Sequence, residues 1–181
     1  MNKILTIIVF FILTSALTAN ERDTKLDRLF VELKKNISSS SPAIAQQIWT
    51  LWSTHPTDEK LTSILDEGSR LVQDQKLFKA INIFSDAIEL DPTWAEAWNK
   101  RATVFYMVGK FQKSQDDIDK VLELEKRHFG ALAGQGLVNI KLENYEKAIE
   151  SYKKVQEIYP AMQSTQKMIR QIEELIKQEL I

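Results

Sequence analysis

The chain has 181 residues, 44% of them hydrophobic, with 24 basic and 25 acidic residues and a formal net charge of −1. That length supports one domain with a packed core, and the near-neutral balance lacks the basic stripe that nucleic-acid binding requires. The absence of cysteine excludes thiol catalysis, disulfide staples and thiolate metal sites. Only five glycines and four prolines punctuate the chain. No segment keeps a strand-like alternation, so an all-α fold is expected.

Residues 1–19, MNKILTIIVFFILTSALTA, combine Lys3, an apolar run from Ile4 to Leu13 broken only by Thr6, and a small-residue end at Ala19. This three-part pattern reads as a cleavable secretory signal. Cleavage is expected after Ala19, although Leu17 is bulky for its place two residues earlier. The expected compartment is a bacterial periplasm. The other reading is an uncleaved single-pass inner-membrane anchor, the one case in which a membrane is a partner. The apolar run falls short of the ~20 residues that span a bilayer, and no cysteine follows it for lipid attachment.

Residues 20–60 hold two helical patterns. Leu26, Leu29, Phe30 and Leu33 form the first. Ser41-Pro42 opens the second, with serine as cap and proline at the first helical position. That helix carries Ala45, Trp49 and Trp52, and a step of 35 from these reaches Ala80, Phe84 and Ala87. The segment therefore reads as a degenerate repeat that caps the next unit, with both tryptophans packed on it.

From residue 61 a period of 34 governs the chain. Ile64 leads to Trp98 and Leu132, Gly68 to Ala102 and Gly136, and Leu71 to Phe105 and Asn139. Ala80 leads to Ser114 and Ala148, Phe84 to Ile118 and Tyr152, and Ala87 to Val121 and Val155. Leu90 leads to Leu124 and Ile158, and Pro92 to Lys126 and Pro160. Apolar meets apolar and small meets small at nearly every step, with Asn139 and Lys126 the departures. Each unit splits into two amphipathic helices, and the small residues let them approach closely. The units are 61–94, 95–128 and 129–162. Short turns at Asp74-Gln75, Gly109-Lys110 and Glu143-Asn144 make neighbouring helices antiparallel. Thr93 followed by Glu96 reads as a capping box. Residues 163–181 form a terminal capping helix in which Met168, Ile172, Leu175 and Ile176 share one face.

The candidates for chemistry are sparse. His55 and His128 fall at expected turns and read as solvated, without paired metal-ligand spacing. Asp116, Asp117 and Asp119 lack calcium-loop spacing and read as a solvated helix face. HFGALAGQG, residues 128–136, holds three glycines but has neither a Walker nor a GxGxxG pattern. No catalytic residue, metal site or cofactor is expected.

WNKRATVFYMVGKFQKSQDDIDKVLEL at 98–124, YEKAIESYKKVQEIYP at 145–160 and LFKAINIFSDAIELDP at 77–92 resemble the tetratricopeptide repeat. The resemblance covers about 61–162 and implies an α-solenoid of helix-turn-helix units. The wording around AEAWNKRATVFY is also similar to a secreted repeat family of alphaproteobacteria, which carries no defined activity with it. In tetratricopeptide repeats the first helix of each unit lines a concave surface. The resemblance places Leu65, Asp66, Ser69 and Gln73 there in unit one, and Glu96, Asn99, Lys100, Thr103, Tyr106 and Met107 in unit two. In unit three it places Gly130, Ala133, Gly134, Leu137, Ile140 and Lys141 there. It implies a protein or peptide partner and an adaptor or scaffold in the cell envelope rather than an enzyme. The alternative is a structural subunit of a membrane-anchored assembly that uses helix ends or the N-terminal tryptophans. Some relatives clamp a C-terminal carboxylate with groove cations. Gly130 and Gly134 stand where those cations should be, so no clamp is expected.

Overall fold

A computed structural model describes residues 21–35 and 37–179. The expected targeting segment, 1–19, lies outside them. Helix α1 covers 21–34. It is followed by α2 (Ser41–Ser53), α3 (Glu59–Gln73), α4 (Leu77–Leu90), α5 (Ala95–Met107), α6 (Phe111–Leu124), α7 (Phe129–Lys141), α8 (Tyr145–Ile158) and α9 (Gln163–Glu179). No strand occurs among the described residues.

From α3 onward each helix packs on the next, as expected of a solenoid of antiparallel pairs. The pairs α3–α4, α5–α6 and α7–α8 turn at Gln75, Gly109 and Glu143, whose φ angles are 58°, 74° and 61°. One left-handed residue recurs at one register, and only one of the three is glycine. The small-residue slot works as a seat for a ring. A β-carbon at Gly68 would lie 2.4 Å from the Phe84 ring, and one at Gly136 would lie 2.5 Å from the Tyr152 ring.

The helix ends are set by specific caps. Asp58 starts α3 by accepting from the backbone N–H groups of Lys60 and Leu61, which satisfies otherwise orphaned donors. The expected capping box at Thr93 does not form. The Thr93 hydroxyl donates to Asp91 at 2.6 Å, and Glu96 turns inward and is only 1% exposed.

The N-terminal helices depart from expectation most. α1 and α2 lie side by side: Arg22 donates to the Leu51 carbonyl at 2.8 Å, and the Phe30 ring lies 5.9 Å from Trp52. This pair does not set its tryptophans on unit one. Leu26, Phe30, Leu33, Ala45, Ile48 and Trp52 form one buried cluster with Phe129, Leu132 and Val155 of unit three. The cause lies in the connection that follows α2. His55 accepts from the backbone N–H groups of Thr57 and Asp58, and its Nε2 meets Asp91 at 2.8 Å. The Trp94 indole donates to the Trp52 carbonyl at 2.9 Å. These contacts aim α2 across α5 and α7.

Candidate functional site: the concave face

α5, α7 and α9 begin at Ala95, Phe129 and Gln163, each 34 residues after the last, so α9 stands as the first helix of a fourth unit. Step by step, Gly134 maps to Met168, Leu137 to Gln171 and Lys141 to Leu175. The expected capping helix therefore also extends the concave face.

Between α5 and α7 lies a recess of about 70 Å³. Of the expected groove residues it gathers Asn99, Thr103, Tyr106, Gly130, Gly134 and Leu137, and adds Ile118 and Val138. Met107 and Leu137 stand exposed on this face, at 43% and 38%. Ala133 and Ile140 are half-buried against the Ala148, Tyr152, Ile169 and Ile172 cluster. Ile140 shares a second recess, of about 360 Å³, with Met168, Gln171, Ile172 and Leu175. Lys141 is exposed. The α9 residues were missed from sequence, although the period of 34 reaches them.

Asn99 and Lys100 serve a different purpose from the rest. Asn99 is buried and donates to Glu96 Oε2 at 3.1 Å. Lys100 Nζ lies 3.4 Å from Glu96 Oε1. Both stabilise a carboxylate sealed from water, where an unpaired charge would be costly. Thr103 is exposed and donates to the Asn99 carbonyl at 3.0 Å.

His128 is no solvated turn residue. It is fully buried, and its Nδ1 accepts from the Ala131 N–H at 3.0 Å as the cap of α7. That geometry assigns the ring proton to Nε2, which donates to Glu96 Oε2 at 3.0 Å. Trp52 stacks on the imidazole at 4.0 Å between centroids, 10° from parallel. Both nitrogens are engaged and one face is covered, so this His–Glu pair joins elements together. His55 is likewise buried. Asp117 is no solvated carboxylate either: Arg101 grips it with two bonds of 2.8 Å. Burial pushes its carboxyl above the usual range, and the guanidinium beside it opposes the shift.

Asn139 fits where an apolar residue was expected because a polar network receives it. Its amide donates to Gln115 Oε1 and to the Gln135 carbonyl, each at 2.8 Å. Ser151 donates to Gln135 Oε1 at 2.9 Å. Below the groove, burial pushes the Tyr152 phenol up to about 12, with Tyr106 adding to the shift. Among the described residues no group of three His, Cys, Asp or Glu could hold a metal ion. None of the described helices is long and apolar enough to cross a membrane.

The tetratricopeptide repeat profile matches residues 130–162. A TPR repeat-containing protein of Rhizobium etli is 32% identical over 115 residues, covering 63% of this chain and 56% of that protein. The Hsp70-Hsp90 organizing protein 1 of Glycine max is 26% identical, over 46% of this chain and 15% of its own length. The chain thus spans about half of the first relative and a small part of the second. Among solved structures, the first TPR domain of Spaghetti (RPAP3), bound to the HSP90 peptide SRMEEVD, superposes with a TM-score of 0.64. It has 20% identity and covers 66% of this chain and 94% of that domain. MamA gives a TM-score of 0.61 at 22% identity, over 77% of this chain and 81% of its own. The 34-residue period, the helix pairing and these likenesses agree: residues 130–162 match a tetratricopeptide repeat, and the described helices take the fold of a tetratricopeptide-repeat solenoid.

Proposed function

We propose that this chain is a non-enzymatic adaptor of the bacterial cell envelope that holds a peptide or protein segment on the concave face of α5, α7 and α9. The observation that carries this reading is the run of partly exposed apolar side chains along one face, Met107, Leu137 and Leu175, beside two recesses. Apolar side chains left open in a concave site are what a docking segment covers. The peptide seated on the Spaghetti domain supports the same use of a shared fold. Export through cleavage after Ala19 supplies the envelope part of the reading. Assembly through the N-terminal tryptophans has little support, because Trp52 is 4% exposed and Trp49 packs on His128 and Phe129.

A photo-crosslinker at exposed Thr103, compared with one at exposed Lys153 on α8, tests the face directly in cells. Position 103 should trap a discrete partner that position 153 does not. Combining Tyr106→Ala, Leu137→Asp and Leu175→Asp should abolish the adduct while the protein stays folded. Lys100 is best left intact, because it faces buried Glu96. Equal trapping at both positions, or trapping by the folded triple variant, would overturn the groove assignment. The intact mass of the trapped chain should begin after Ala19; a retained N-terminus would favour the anchor.

A further inference from the structure

Two glycines one turn apart on α7 face the groove, and their surroundings differ. At Gly130 the place of a side chain is taken: a β-carbon would lie 2.4 Å from Trp49 Cη2 and 2.7 Å from Cζ2. The indole edge of α2 sits where any other residue would put its own first carbon. At Gly134 the corresponding place is open, and the nearest atom to an added β-carbon is Ile118 Cδ1 at an ordinary 3.5 Å. This vacancy is the 70 Å³ recess, walled by Ile118, Ala131, Leu137 and Val138, with Asn99 and Thr103 on the α5 side.

We propose, resting on the groove reading above, that Gly134 floors a subsite for one aliphatic side chain of a partner peptide. That peptide continues the α2–α7 contact and carries a carboxylate within reach of Lys141. Size selects the side chain. The recess is about half the ~150 Å³ of an apolar cavity that admits benzene, so a branched or short aliphatic chain fits and a ring does not. Trp49 sets the direction: it closes the groove at Gly130, so the partner's chain runs from Gly134 toward the end of α7. Charge selects the neighbour. Lys141 is exposed, and no ion pair among the described residues engages it, whereas Lys100 already faces Glu96. The two helical turns from Gly134 to Lys141 rise about 10 Å, a span of roughly three extended residues.

The test is a displayed random-peptide library selected on the purified protein. Selected peptides should share an aliphatic residue with an acidic residue about three positions away. Replacing that aliphatic residue by glycine should weaken binding at least tenfold to the wild-type protein and leave binding to Gly134→Leu unchanged. Lys141→Glu should weaken binding of the same peptides. If Gly134→Leu does not fold, Gly134→Ala, which adds one carbon to the floor, should still lower affinity for the bulkiest anchors. Peptides that need Tyr106 and Leu137 yet bind Gly134→Leu as tightly as wild type would overturn the subsite and leave the groove standing. Selected peptides indifferent to Tyr106→Ala and Leu137→Asp, or no selected peptides at all, would overturn both.

Discussion

Gly134 and Gly136 are two residues apart on α7 and answer to opposite demands. Gly136 lies under the Tyr152 ring, which is itself 2% exposed, so an added methyl group must displace a packed aromatic. Gly136→Ala should destabilise the fold by about 1–3 kcal/mol, as overpacking does. Gly134→Ala meets only ordinary contact and should gain up to about 1 kcal/mol from helix propensity. Denaturant midpoints of the two variants check this, and shifts of the same sign would refute the contrast. The Gly136 role was legible because Gly68 and Ala102 fill the same slot. The Gly130 role was not, because its neighbour Trp49 comes from a distant helix with no local pattern linking them. Asp117 is an intermediate case. Its partner Arg101 stands 16 residues before it. The same spacing separates Gly68 from Phe84, Gly136 from Tyr152 and Gln135 from Ser151. Sixteen is the facing register of neighbouring helices, so a step of 16 finds the pairing that a helical-face reading alone cannot.

The α1–α2 pair shows where element-level reading stops. A step of 35 sets Ala45 and Trp49 of α2 against Ala80 and Phe84 of α4, but Trp52 against Ala87. Amphipathic helices share that pattern whatever surface they cover; the destination was set by a few contacts in the connection, above all His55 with Asp91. Burial acts to raise the Asp91 carboxyl, but bonds from Thr93 and His55 outweigh it and hold the carboxyl below its usual range. A depressed carboxyl contributes stability above its unfolded pKa, about 3.9 for aspartate, and loses it as pH falls through the folded value. Asp91→Asn should therefore lower stability at neutral pH, and the gap to wild type should narrow as pH drops below about 4. Melting curves across that range test the latch; a gap independent of pH would show that the charge has no part in it.

Across the whole molecule, a solenoid would hold itself together only between neighbours, and α3 to α9 follow that rule. The N-terminal pair breaks it by joining residues far apart in the chain, as in the 2.6 Å contact between Arg127 and Asp27, 100 residues apart. Arg127 also lies 4.3 Å over the Phe30 ring. Trp52→Ala, which empties the stack on His128, should cost about 3–5 kcal/mol. Hydrogen exchange should show the loss of protection in α5 to α8 before α3 and α4; first loss in α3 would contradict the placement of α2. The same long reach has a consequence for how the chain is made. At ~5–20 residues per second of synthesis, the surface that receives Trp49 and Trp52 follows them by roughly 5–20 s. Until α7 emerges, Trp52 has Phe30 of α1 to rest on but neither ring has its place on unit three. The first described helices to be made are among the last to be seated.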